Sequence, residues 1–205
     1  MIINLWEEKQ YPPKVEAMNE AVISLLAEGR DLNSLRVSEI TGRAGIGKGT
    51  AYEYFSSKAE IIATALEYDL AKQVARLVEV EDKAESFRDM LEKLMDWVAE
   101  NFERKSVFTL AFQPDAGVKE LSKELGPDQC ILKSAMSVIY KMIEQALVIG
   151  EKEGSIRKMD HYFGSVAIVS QVMSFSLYLG NPGKGNVSFT EAKEFAVDSI
   201  IKMLN

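Results

Sequence analysis

Apolar side chains recur every three or four residues along almost the whole chain, and no stretch of useful length alternates apolar with polar. Residues three and four apart share one face of a helix whereas strand residues alternate faces, so this period builds amphipathic helices and argues against a sheet. The expected fold class is all-α. Pro12 and Pro13 suit the first turn of a helix, where a missing N–H leaves no bond unmade, and Val15, Met18, Val22 and Leu25 then line one side until Gly29 stops it. Ser34 is the expected N-cap of a second, short helix carrying Val37, Ile40 and Ala44, after which Gly45 turns the chain.

The chain has 205 residues, of which 47% are hydrophobic and 27% charged, enough to bury an ordinary core in one large domain or two small ones. No apolar run approaches the roughly 18 to 20 residues of a membrane span, and MIINLWEEKQ lacks the basic start and apolar core of a secretory signal. The expectation is a soluble, cytoplasmic protein with no membrane partner. Cys130 is alone, which excludes an intramolecular disulfide and a thiolate zinc cluster; a cysteine amid apolar residues belongs to a core. His161 is also alone, and its neighbour Asp160 is badly placed to orient it, so it reads as a helix-end or pocket-rim residue rather than a catalytic base. Glu7, Glu8 and the acidic run from Glu79 to Asp82 read as solvated surface. Nothing here is an enzyme signature, and no catalytic residue, metal or cofactor is expected.

The stretch GRAGIGKGTAYEYFSSK, Gly42 to Lys58, admits two readings. Gly42, Gly47 and Lys48 stand in the order of a phosphate-binding Walker loop, but Gly49 occupies the place of the magnesium-binding Ser or Thr, and Thr50 comes one residue late. A phosphate loop must also follow a buried strand, whereas the residues before Gly45 carry helical spacing. Ala51 and Phe55, four apart, can close a third short helix over the first two, which makes a helix-turn-helix unit. With Ala51 inward, about 100° per residue puts Gly49 and Glu53 on the opposite face, flanked by Thr50 and Tyr52. A glycine there lowers helix stability by roughly 0.5 to 1 kcal/mol, and close approach to another backbone is a reason for it; the alternative is that Gly47 and Gly49 simply mark a loop.

VSEITGRAGIGKGTAYEYFSSKAEIIATAL, Val37 to Leu66, resembles the DNA-binding region of the tetracycline-repressor (TetR) family of transcriptional regulators. Ile40, Ala44, Gly45, Ile46, Lys48, Gly49, Thr50, Tyr52, Tyr54, Phe55 and Lys58 fall on that family's pattern without a gap. Departures are Arg36, where the family usually caps the second helix with threonine, Thr41 and Gly42 within that helix, and Ala51 in place of a leucine. The resemblance implies about nine helices, a DNA-binding domain at 1–58 with an N-terminal extension at 1–11, and a ligand-binding and dimerisation domain at 59–205. It implies a homodimeric repressor that leaves a palindromic double-stranded operator when a small apolar or amphipathic effector binds. An alternative is the same fold used as a protein-interaction or small-molecule-binding module without operator binding. The expected DNA contacts are Arg36, Lys48, Gly49, Thr50, Tyr52, Glu53, Tyr54 and Lys58: the lysines and tyrosines on phosphates, Thr50 and Gly49 against base edges, Glu53 toward a cytosine amino group. The net charge of -7 does not oppose this, because Arg36 to Lys58 holds four basic and two acidic residues, leaving -9 to the remainder. Screening beyond about 10 Å isolates the two.

Ser57 is the expected N-cap of a long fourth helix through Ile61, Ile62, Leu66, Leu70 and Leu77, and Phe87, Leu91, Leu94, Val98 and Phe102 stripe a fifth. A short apolar segment at Val107 to Phe112 and an interruption at Gln113-Pro114 precede a helix from Pro127 to Gly150. The last two helices are expected at Met159 to Leu179 and Thr190 to Leu204. The first is apolar nearly all round and rich in small residues (Gly164, Ser165, Ala167, Ser170, Ser174) that let a helix approach closely. The resemblance implies a four-helix dimer interface here, through Tyr162, Val166, Val169, Met173, Phe195 and Ile200. It also implies an effector cavity, for which Trp97, Phe102, Phe108, Phe112, Met136 and Tyr140 are the candidate lining.

Overall fold

The computed structural model describes residues 10–82, 84–105, 109, 131–181, 183 and 185–205, with the side chains at 80–82 and 131–138 left out of the description. Eight helices and no strand occur among them: α1 (Pro13–Ala27), α2 (Val37–Arg43), α3 (Lys48–Tyr54), α4 (Lys58–Asp82), α5 (Phe87–Glu103), α6 (Ile131–Glu153), α7 (His161–Leu179) and α8 (Phe189–Leu204). The all-α expectation holds. The segment 107–114, and Cys130 with it, lies outside the described residues apart from Thr109, which limits the helix count to these eight. The described residues form two compact units, 10–73 with 104–105, 109 and 131–135, and 74–103 with 136–205, the divisions falling within α4 and α6.

In the first unit the apolar stripe of α1 meets Leu32, Leu35, Ile40, Ala51, Phe55, Ile61, Ile62 and Leu66 in one buried cluster. Gly29, at φ +90°, ends α1 in a Schellman turn: the Arg30 N–H donates to Leu25 O at 3.1 Å and the Gly29 N–H to Leu26 O at 2.9 Å. Gly45 repeats the device between α2 and α3, at φ +69°, with Ile46 N–H donating to Thr41 O at 3.0 Å. The expected cap of α2 is corrected. Ser34 closes a turn on Asp31 instead, its N–H donating to Asp31 Oδ1 at 2.9 Å, and Arg36 takes the N-cap position without a side-chain bond. Ser57 does cap α4, accepting from Glu60 N–H at 3.1 Å.

A polar clasp fastens α1 to α4. Tyr68 Oη lies 2.7 Å from Glu20 Oε1 and 3.0 Å from Glu16 Oε1, Lys72 Nζ donates to Glu20 at 2.6 Å, and the same ammonium stands 4.1 Å from the Tyr68 ring centre. Tyr11 meets that ring edge-on at 5.6 Å. Burial, then the two carboxylates, push the Tyr68 phenol far above its ordinary value, while Lys72 holds Glu20 below the usual carboxylate range. Nearby in sequence, Asn19 is fully buried with neither amide atom bonded.

The second unit is built on α5, against which α7 and α8 pack while also packing on each other. Phe87, Leu91, Met95, Val98, Leu147, Ile168, Val197 and Ile200 are among its fully buried side chains. Asp160 caps α7 by accepting from Phe163 N–H at 2.9 Å, and Ser188 with Glu191 forms a capping box on α8. His161 is indeed a helix-end residue, its Nε2 3.3 Å from Glu151 Oε1. Gly164 is small for an intramolecular reason: a methyl group built on it would lie 2.9 Å from Leu147 Cδ1 and 3.1 Å from Met159 Sδ. The α6 and α7 helices thus approach closely there, which corrects the reading of Gly164 as space for a partner helix.

Candidate DNA-reading surface and effector cavity

The residues expected on DNA do share one surface. Ala51 is fully buried and anchors α3, so the side of the helix opposite it faces outward, with Lys48, Gly49, Glu53, Tyr52 (48% exposed) and Tyr54 (41% exposed) on the surface and Thr50 partly so. No atom lies within 4 Å of a Cβ built on Gly49, so intramolecular packing does not require a glycine there. Phe55 sits just past the end of α3 in extended conformation and is buried, giving the short helix its second anchor. Arg36 is exposed at the start of α2, and Lys58 Nζ donates to Asn33 O at 3.1 Å, tying the start of α4 to the loop before α2.

Local charge is distributed differently from the sequence count. Arg43 is held by Glu28, with Nη2 to Oε2 at 3.0 Å, and by Ser24 Oγ at 2.7 Å, so it braces α2 against α1 and is not offered to phosphate. Glu39 is in turn paired with Arg30 at 2.9 Å. Removing both from the count leaves Arg36, Lys48 and Lys58 against Glu53, still a net +2 on this surface. Sequence reasoning counted Arg43 with the DNA face because its partner Glu28 lies fifteen residues away.

In the second unit an apolar cavity opens between Leu77 of α4, Met90, Leu91 and Leu94 of α5, and Ile139, Met142, Ile143 and Ala146 of α6, with Ile168 of α7 behind them. Its enclosed space is about 20 Å³, room for little more than one water. None of the residues expected to line a cavity is among these described ones. Trp97 is buried on α5 one turn beyond Leu94, Phe102 is partly buried near Gly180, and Tyr140 is exposed; Phe108, Phe112 and the side chain of Met136 lie outside the description.

A third surface is apolar and open. Tyr162, Val166, Val169, Met173 and Leu177 fall within about 80° of one another around α7 at about 100° per residue, and Phe195 and Met203 are exposed on α8. Tyr162 is 76% and Phe195 69% exposed, Val169 is half-buried. Ile200 is corrected: it lies about 140° round α8 from Phe195 and is fully buried in the core of its own unit. By length and composition α7 is also apolar enough to cross a membrane, with a mean hydropathy of 1.4. Its serines and Gln171 interrupt the apolar run without adding a charge, so a search for unbroken runs passes over it. One such helix, packed along its other side against α5 and α8, is weak evidence for a span.

Residues 25–65 match the family described as bacterial regulatory proteins, tetR family. The chain is 28% identical over 140 residues to the uncharacterized HTH-type transcriptional regulator YuxN of Bacillus subtilis (strain 168), across 68% of this chain and 47% of that protein. It therefore spans about half the length of that relative. Among solved structures, the fatty acid degradation regulator FadR from Bacillus halodurans superposes with a TM-score of 0.69 at 16% identity over 96% of both chains. FadR from Bacillus subtilis in complex with stearoyl-CoA gives 0.64 at 16% identity over 92% of this chain and 96% of that one. The ketosteroid regulator KstR2 of Mycobacterium tuberculosis gives 0.61 at 20% identity over 96% and 97%. At these identities the structures speak to the fold.

Proposed function

From the premise that this chain carries the helix-turn-helix unit of the tetR family on an all-helical fold shared with regulators of transcription, we propose that it is a sequence-specific repressor, released from its operator by a small apolar or amphipathic molecule. The observation that carries the reading is the outward face of α3: a lysine, a threonine and two tyrosines around a glycine whose missing side chain no internal contact requires. Lys48, Arg36 and the tyrosines hold phosphates, Thr50 and Gly49 lie against base edges, Glu53 takes a cytosine amino group, and Lys58 fixes the start of α4 beside them. By role, 1–58 reads DNA and 59–205 binds effector and partner.

The partner in this reading is a second copy of the chain, seated on the open apolar face of α7 and α8, which joins two α3 helices into a reader of two half-sites roughly 34 Å apart or a multiple of that. Effector binding is transmitted along α4, one continuous helix whose first turns pack in the DNA-reading core and whose Leu77 lines the cavity. A regulator of the same fold bound to stearoyl-CoA supports a small-molecule effector. The test is capture of genomic DNA by the purified protein, followed by titration of the recovered sequence against salt. Lys48→Ala should weaken all DNA alike and reduce the salt slope by about one, whereas Thr50→Val should change which sequence is preferred. Recovery of no common sequence, or indifference to both substitutions, would refute the assignment.

A further inference from the structure

We infer that Arg43 and Glu28 are a positioning pair for DNA reading: the guanidinium touches no phosphate but seats α2 on the end of α1, and so sets the angle of α2 and, through the Gly45 turn, that of α3. The inference rests on the DNA-reading assignment above. It starts from the weakness of α2. Seven residues are too few to persist as a helix alone, the N-cap Arg36 makes no side-chain bond, and Thr41 and Gly42 are poor helix formers. The buried Val37 and Ile40 hold α2 against the core, but apolar burial is non-directional and does not fix its angle.

Two forked ion pairs supply the direction. Arg43 meets both carboxylate oxygens of Glu28, Nη1 on Oε1 and Nη2 on Oε2 at 3.0 Å, and its Nη1 also reaches Ser24 Oγ at 2.7 Å. Glu39, one turn earlier on the same side of α2, meets Arg30 just past α1, through Nη1 at 2.9 Å and Nη2 at 3.2 Å. The two pairs run in opposite senses, so a one-turn slip of α2 would face Glu39 with Glu28 or Arg43 with Arg30, and like charges repel. Glu28 stands at the C-cap of α1, the negative end of that helix, whose last turn holds no basic residue. The cation that answers both comes from α2, and it holds the Glu28 carboxyl below the usual carboxylate range. Exposed pairs add little to stability, so their effect belongs in where α3 points more than in whether the unit folds.

The experiment measures full-length protein, folded by circular dichroism at the assay temperature, on the duplex recovered by genomic capture and on an unrelated duplex, by fluorescence anisotropy across a salt series. The sign of Glu28→Ala decides. If Glu28 merely restrained a phosphate-binding Arg43, its removal would free the cation and strengthen binding to all DNA. As a positioning residue, its loss should weaken the recovered sequence about fivefold or more, the value of one base contact, and leave the unrelated duplex near the parent. Arg43→Ala should do the same with the salt slope unchanged, where a lost phosphate contact would lower it by about one. Exchanging the charges, Glu28→Arg with Arg43→Glu, should return the recovered sequence to within about twofold of the parent, and this variant decides if either single one fails to fold. Tighter binding by Glu28→Ala, a reduced slope in Arg43→Ala, equal weakening on both duplexes, or an exchange variant still fivefold weaker than the parent would overturn the inference and leave the DNA-reading assignment standing. A parent protein that prefers no sequence would refute both.

Discussion

Gly49→Ala separates what the fold needs from what DNA needs at the outward face of α3. Gly49 is the second residue of the helix, has no atom within 4 Å of a built Cβ, and has a backbone that alanine adopts freely. In a helix interior the exchange stabilises by roughly 0.5 to 1 kcal/mol; so near the N-terminus the lower value applies, about 0.5 kcal/mol. For a chain of this size that is a rise of about 1 to 2 °C in melting temperature. On DNA the methyl group stands where a base edge or phosphate is to approach. Loss of one well-made contact corresponds to about 1 to 3 kcal/mol, or roughly 5- to 150-fold in affinity. The expected outcome is a protein slightly more stable and at least fivefold weaker on its operator. Thermal denaturation by circular dichroism and fluorescence anisotropy at fixed salt read the two quantities on the same preparation. A variant that gains stability and binds its operator as tightly as the parent would show that the glycine faces open water in the complex, and the assignment of the DNA face would fail with it.

Phe195→Glu should convert a dimer to a folded monomer in sedimentation and abolish cooperative operator binding, because the side chain is 69% exposed and its loss spares the core; a stable dimer would place the interface elsewhere. Gly164→Ala should lower stability by about 1 to 3 kcal/mol, read as a drop in the urea midpoint, since Leu147 and Met159 leave the methyl no room; an unchanged midpoint would mean that α6 and α7 separate freely. Asn19→Leu should stabilise by about 1 to 3 kcal/mol by removing a buried amide with no partner, and a loss of stability would reveal a bonded amide. The Tyr68 clasp should fail at both pH extremes. Glu20, held low by Lys72, contributes stability that is present above 4.5 and is lost as pH falls through its lowered value. Tyr68, held high by burial, contributes stability that is complete below 10 and is lost above it. In Tyr68→Phe the alkaline loss measured by circular dichroism should disappear, and its persistence would assign that loss to other groups.

The helix-turn-helix unit was largely legible because its signals are local. Gly45 marks a left-handed turn that few other residues adopt, Ala51 and Phe55 fix the inner side of α3 by spacing alone, and together they orient the whole outward face. What failed there was an interaction between distant residues competing with a local rule. Ser34 has the chemistry of an N-cap, but Asp31 three residues earlier offers it a turn, and α2 starts later without one. Arg43 has the charge for phosphate, and Glu28 on the preceding helix takes it first.

The second unit shows the harder limit. A helical stripe tells which residues leave water, not whether they enter their own core, a cavity wall or a partner's surface, because all three reward apolar area alike. Phe195 and Ile200 are the clearest case: both are large and apolar on α8, and about 140° of rotation sends one outward and the other into the core against α5 and α7. The cavity is a stronger case still. Trp97 and Tyr140 were chosen by type, since aromatic side chains commonly line ligand sites, yet a void forms where packed helices fail to meet and is walled by whatever stands there. Leu94 and Trp97 are separated by one turn of α5, and only the lateral positions of α4 and α6 decide that the leucine faces the gap. That dependence on helix placement is also what a switch requires: a wall made of several helices changes shape when a ligand parts them, whereas a stripe on one helix cannot.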